Sequence, residues 1–269
     1  MSQNVLYDAL VVDNKGMWGM SDVSYLDGYI YHMVHFDNLR NIFQRRAILS
    51  KQKVFQERIH YHSIANDEVQ SFRDRIYIWD FARRKYRSLH SYVPFYFATH
   101  PPMLHNKYTE GVQDRIAIFE VSRSILKDQG VLFTNGNVSN QQLSKFKGEK
   151  VGITPATASA EECFRKYHPG GPYGANASRS DFYRNLTFLD RLDWGIINDQ
   201  YSMEDKKERT RIKHAEVLVP DILPLGRVQG ISVKTQDRMQ AVNALIEQCG
   251  LTGRIPSAVC KPGLYFWEQ

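Results

Sequence analysis

Short runs of branched and aromatic residues recur along this chain, and only one stretch carries the period of a long amphipathic helix. The runs are YIYHMV (Tyr29 to Val34), YVPFYFA (Tyr92 to Ala98), RIAIFEV (Arg115 to Val121), VLFT (Val131 to Thr134), HAEVLVP (His214 to Pro220) and GISVKT (Gly230 to Thr235). Their length and side-chain shapes suit strands. Pro94 cannot donate to a ladder, so it predicts a sheet edge or a bulge. Thr235 caps the best helix, with Met239, Val242, Leu245, Ile246 and Cys249 on one face and Gly250 as its stop. Shorter helices are expected after Asp37, from Pro101–Pro102 to Tyr108, and over 182–201, where Leu186, Leu189, Leu192 and Ile196 form a stripe. Residues 51–90 read as a loop with helical pieces, and 258–267 as a last strand. With no repeats and no linker, the pattern predicts one α+β domain over residues 1–269.

Two segments stand apart. Residues 1–28 form a polar, Gly-containing extension. From Asn137 to Asn185 the chain turns small and polar, and HPGGPYGANASRSD (His168 to Asp181) predicts a long surface loop. Tyr173 offers a stacking face there, and Arg179 a phosphate partner.

Composition removes several classes of protein. The 269 residues are 42% hydrophobic and 24% charged, which excludes a disordered chain. The mean hydropathy is −0.46 and no apolar run approaches the ~18 residues of a membrane span. No basic stretch followed by an apolar block opens the chain, so no secretory signal is expected. Cys163, Cys249 and Cys260 form no CxxC pair, which argues against a cysteine zinc site and for reduced thiols in the cytoplasm. The net charge is +6. FARRKYRS (Phe81 to Ser88) interleaves the cations Arg83, Arg84, Lys85 and Arg87 with rings, the combination a single-stranded nucleic acid requires. KKERTRIK (Lys206 to Lys213) is a second basic run. The alternative for both is a solvated surface.

Familiar phosphate cradles and catalytic signatures are missing: there is no GxGxxG after a strand, no P-loop, no GxSxG and no HExxH. His32 and His35 could form a metal pair, but their spacing points them apart and no acidic third ligand is evident, so no metal site is expected. Glu216 is the unusual residue. A carboxylate within an apolar strand either faces solvent or is buried with a purpose.

Four segments in order, YHMVHFDNL, HSIANDEVQSFRDR, SYVPFYF with PPML, and HAEVLVP, together with LDW (Leu192 to Trp194), resemble the DarT family from about Tyr29 to Pro220. These toxins transfer ADP-ribose from NAD onto nucleobases of DNA. The resemblance implies the ADP-ribosyltransferase fold, a split antiparallel sheet around an NAD cleft with flanking helices. It implies Glu216 as the catalytic glutamate, and Arg73, with Arg75 as the alternative, near NAD and the target base. It further implies His32, Asn38, Tyr96 and Met103 as NAD-binding residues. NAD is then a co-substrate and no metal is required. The partners implied are single-stranded DNA, with thymine or guanine as the base, and an ADP-ribosylglycohydrolase antitoxin, often a macrodomain protein; no membrane is involved. The chain departs from the family pattern at Val34, where a threonine is usual, in its first 28 residues, and in its longer 137–185 region.

The residue types suit this chemistry. Breaking the nicotinamide–ribose bond builds positive charge on the ribose, which a carboxylate stabilises. The same carboxylate can take a proton from an attacking base nitrogen. The competing readings are a transferase acting on RNA or protein, and a metal-free nuclease or nucleic-acid-binding module using His32, His35 and the basic clusters.

Overall fold

The computed structural model describes residues 23–65, 70, 73–74, 76–80, 83, 85–138, 153–155, 180, 182–199 and 206–267. Its strands are β1 (Tyr29–His35), β2 (Ala47–Leu49), β3 (Ile76–Asp80), β4 (Lys85–Ser88), β5 (Tyr92–Tyr96), β6 (Ile116–Ser122), β7 (Leu132–Thr134), β8 (Ile153–Pro155), β9 (Phe182–Tyr183), β10 (Glu216–Pro220), β11 (Ile222–Pro224), β12 (Val228–Val233) and β13 (Ala258–Cys260). The α-helices are α1 (Leu39–Arg45), α2 (Lys51–Gln56), α3 (Pro102–Thr109), α4 (Trp194–Asn198), α5 (Lys206–Lys213) and α6 (Gln236–Gln248). Every strand read from the sequence is present, shifted by a residue or two, except the last, which is seven residues shorter than expected.

Eight strands make the main sheet, in the order β13-β12-β6-β1-β5-β10-β7-β9. Its ladders are antiparallel except for β12 and β13, which run parallel. Between those two the chain crosses over through α6, as a parallel pair requires. Thr235 caps α6 by accepting the Arg238 N–H, Val242 and Ile246 are buried, and Gly250 ends it at φ +65°.

The sheet is split in its middle. β1 pairs with β6 along its whole length, from Tyr29 opposite Ser122 to His35 opposite Ile116. Its other edge meets β5 only at Tyr31 opposite Tyr96. Pro94 explains the parting. Its carbonyl faces β1 and accepts a hydrogen bond from His32 Nδ1 at 2.8 Å. In a strand, the N and C=O of one residue point to the same side, so Pro94 leaves β1 without a donor at this rung. The expected outer edge or bulge is therefore corrected: Pro94 lies in an interior strand, at an internal seam.

The 51–90 reading is corrected too. The segment holds α2 and a β3–β4 hairpin, with Trp79 opposite Tyr86, and β8 adds a third strand beside β3. Strand β4 is KYRS, whose charged, partly exposed residues hide it from pattern reading. The expected helix over 182–201 breaks into β9, a 3-10 turn (Leu186–Arg191) and α4. Asn185 and Asp193 cause the break, each accepting a backbone N–H and starting a new turn. Leu189 and Leu192 of the stripe are nevertheless buried. At the C-terminus only Ala258–Cys260 is a strand.

Candidate active site

Glu216 opens β10 and is 2% exposed, so the solvent-facing alternative is excluded. Its carboxylate accepts from Arg73 Nη1 at 2.9 Å and 3.1 Å, and Arg73 is itself 8% exposed. Burial pushes the Glu216 carboxyl above its ordinary value, against the opposing pull of Arg73. The backbone beneath is fixed as well. The Glu216 N–H donates to Thr134 Oγ1 at 3.0 Å, and that hydroxyl donates to Gly136 O at 2.7 Å. The Asn135–Gly136 bend is pressed under Arg211, whose guanidinium a Cβ at Gly136 would overlap.

Two residues, one on the neighbouring strand and one in the turn before β10, complete the surroundings of the pair. Tyr96 lies directly across β5 from Glu216 and shares its face. His214, two residues before Glu216, packs its ring 6.1 Å from that of Tyr96 and donates from Nδ1 to Thr210 O. Burial first, and the nearby Arg73 charge second, lower the His214 pKa to about 4, so its imidazole is neutral at pH 7.

Where β1 and β5 part there is an open cleft of about 210 Å³. Its walls include His32, His35 and Asn38 from the β1 end, Pro94 from β5, Lys51 and Val54 from α2, and Tyr61, His62 and Gln70 beyond. Ser50 caps α2 and sets Lys51 at the cleft wall. Lys51 Nζ donates to Gln70 Oε1 at 3.0 Å and lies 3.6 Å from Asp74. Asp74 also holds His90, whose pKa falls to about 4 through burial and then the Arg73 and Lys51 charges. Lys51 in the cleft wall is thus linked through Asp74 to the segment that carries Arg73.

The sequence-derived residues are distributed as follows. His32 is at the cleft, its ring 5.3 Å from Phe95 and its Nδ1 on Pro94. Burial lowers its pKa. Asn38 lines the cleft, but its amide clamps the segment opposite: Nδ2 donates to His62 O and Oδ1 accepts the His62 N–H, both at 2.8 Å. Met103 packs with Met33, Leu104, Ile116 and Tyr265 and is not a lining residue. Arg83 and Arg87 are ion-paired to Asp80 and Asp221, and Arg87 is only 9% exposed, so these cations brace the hairpin. Lys85 is exposed on β4. In the second basic run, Arg211 and Lys213 are buried, which corrects the idea of a uniformly solvated or phosphate-facing helix. Arg75, Arg84, Tyr173 and Arg179 lie outside the described residues.

Sequence reasoning missed Thr134, Lys51, Asp74, His90 and His214, because polar residues scattered over distant segments carry no local pattern. It also missed the acidic neighbour of His35: Asp37 Oδ2 lies 3.3 Å from His35 Nδ1 and 3.9 Å from His62 Nδ1. However, the Asp37 N–H already donates to His35 Nδ1 at 3.2 Å and occupies the lone pair a metal would need.

Comparison with known proteins gives a consistent result. A family model described as "ssDNA thymidine ADP-ribosyltransferase, DarT" matches residues 31–159 and 173–266. A "DNA ADP-ribosyl transferase" of Thermus aquaticus is 27% identical over 229 residues, covering 81% of each chain. A Thermosipho africanus protein described as a "DNA ADP-ribosyl transferase-DNA ADP-ribosyl glycohydrolase fusion protein" is 24% identical over 123 residues, covering 45% of this chain and 30% of that one. The structure of Thermus sp. 2.9 DarT in complex with ADP-ribosylated ssDNA superposes with a TM-score of 0.65 at 24% identity, covering 88% of this chain and 96% of the other. The same protein with NAD+ gives 0.61 at 23% identity.

Proposed function

The chain belongs to the DarT family, and from that premise we propose that it transfers ADP-ribose from NAD to a thymine of single-stranded DNA. It is an NAD-dependent DNA ADP-ribosyltransferase with the ADP-ribosyltransferase fold. The observation that carries the mechanism is the buried Arg73–Glu216 pair, joined through Asp74 to Lys51 in the wall of the neighbouring cleft.

NAD supplies the ADP-ribosyl group, with nicotinamide as the leaving group. Glu216 places a negative charge, in a site of low polarisability, where positive charge develops on the ribose. Thymine in DNA has one ring nitrogen that bears a proton. As that nitrogen bonds to the ribose carbon, its proton passes to the Glu216 carboxylate, whose raised pKa suits a proton acceptor. Arg73 holds the carboxylate before substrates bind and then turns to a phosphate or to the base. His32 and Tyr96 hold the nicotinamide end on rigid strands. Neither role requires a metal.

Paired bases hide that nitrogen, so a single strand is the natural substrate. Thymine rather than guanine follows from the description of the matching family. On the same reading, residues 1–269 form one transferase domain; within 137–185 the family model passes over only 160–172. No helix among the described residues is long and apolar enough to cross a membrane. The cytoplasm is where NAD and DNA meet. The Thermosipho relative carries its glycohydrolase on one chain, which supports a toxin role here, with a macrodomain-type glycohydrolase as antitoxin.

The test is mass spectrometry of four single-stranded oligonucleotides, each with one base type at the central position, incubated with the chain and NAD. An ADP-ribosyl mass gain on the thymine strand, with release of nicotinamide, is expected. Gain on another base alone overturns the base assignment, and cleaved strands without gain favour a nuclease.

A further inference from the structure

Helix α2 carries an aromatic ring that the core does not use. Phe55 is 63% exposed. Its neighbours Lys51 and Val54 line the cleft, whereas Phe55 does not, so the ring stands on the outer rim. Tyr61, which does line the cleft, meets Phe55 edge-on, with centroids 6.1 Å apart at 84°. Lys51 Nζ lies 5.9 Å from the Phe55 centroid on the cleft side. Just beyond the helix, Arg58 is exposed on a left-handed residue (φ 52°).

A ring this exposed removes little apolar surface from water and so contributes little to folding. A single such residue is ordinary on a protein surface. This one is braced by a second ring and flanked by cations at the mouth of a nucleotide cleft. Aromatic faces beside cations are the means by which single strands are held without regard to sequence. The cleft interior suits the dinucleotide, and a strand that delivers a base to Glu216 has to cross its rim.

We propose that Phe55, steadied by Tyr61, is a stacking platform for a base adjacent to the target thymine, with Arg58 meeting the strand's phosphates. The proposal rests on the DNA reading above and adds to it a residue that holds the flanking strand.

The test is a coupling cycle on the full chain. Binding of a fluorescent single-stranded oligonucleotide with one central thymine is measured by anisotropy. The oligonucleotide has either intact or abasic flanking positions, and the chain is wild type, Phe55→Ala, Phe55→Leu or Phe55→Trp. Phe55→Ala is expected to weaken binding of the intact strand about 5- to 150-fold. Abasic flanks should weaken wild-type binding comparably and Phe55→Ala binding hardly at all. Phe55→Trp should restore affinity, and Phe55→Leu should restore little of it. Unchanged affinity in Phe55→Ala, or equal losses from abasic flanks in wild type and Phe55→Ala, overturns the platform. A wild-type chain that neither binds nor labels any oligonucleotide overturns the parent reading, and the platform with it.

Discussion

Replacing Glu216 by Gln keeps the shape of the side chain and removes one charge. At ~4 Å from a developing positive charge, with an effective dielectric of ~20, a carboxylate contributes about 4 kcal/mol, roughly a thousandfold in rate. Arg73 changes that figure. Its Nη1 lies 2.9 Å and 3.1 Å from the two carboxylate oxygens. A cation that stays there sits at roughly 7 Å from the reacting carbon and opposes with about 2.4 kcal/mol. With the pair intact, the net contribution shrinks to about 1.8 kcal/mol, some 20-fold. Because Arg73 is assigned to NAD and the target base, we expect it to leave Glu216 during reaction, and Glu216→Gln to lose close to a thousandfold. The assay is single-turnover labelling of a thymine oligonucleotide with enzyme in excess and NAD saturating. A loss near 20-fold refutes the exchange of partners by Arg73, and a loss below tenfold refutes Glu216 as the charge-stabilising group. Breaking a buried pair destabilises a fold by up to about 3–5 kcal/mol. Denaturation curves taken alongside keep the two effects separate, and Arg73→Met with Glu216→Gln should regain stability without activity.

Three further outcomes are expected. Since burial raises the Glu216 pKa, the folded state takes up a proton before the unfolded chain does; its contribution to stability is lost as pH rises from the ordinary glutamate value through the raised one. Urea midpoints between pH 4 and 8 should show this slope in wild type and not in Glu216→Gln. His90 and His214, both lowered to about 4, act in the opposite sense: the unfolded chain protonates first, so stability falls as pH drops from about 6.5 toward 4. Nitrogen NMR should find both neutral at pH 5.5, and their Gln variants should unfold with a flatter acid limb. Arg87→Gln should cost about 1–3 kcal/mol by breaking its bonds to Asp80 and Asp221, whereas Lys85→Gln should leave stability alone and lower the salt slope of DNA binding by roughly 0.7. An unchanged slope would return Lys85 to the solvated surface.

What the sequence disclosed and what it hid divide along physical lines. Strand β6 and helix α6 were legible because their apolar period matches their geometry. Glu216 was legible as a carboxylate out of place among Ala215, Val217 and Leu218, although only burial decided between its two readings. Strand β4 of the hairpin was not legible, because Arg87 meets Asp80 in an ion pair rather than through an apolar face. The same pairing is why FARRKYRS read as a phosphate surface: charge in sequence does not show which cations already have partners. Pro94 was seen as unable to donate. That the missing rung would fall inside the sheet depended on which strands lie beside it, and that is a long-range fact.

The internal seam has a mechanical meaning. Strands β13, β12, β6 and β1 form one raft, and β5, β10, β7 and β9 another. A single rung at Tyr31 and Tyr96 and the His32–Pro94 bond lash them together. The cleft draws its walls from both rafts, so a dinucleotide bound there, as proposed, would tie across this seam in the sheet. The substrate would then serve as a rivet in the scaffold that consumes it, removed and replaced at each turnover.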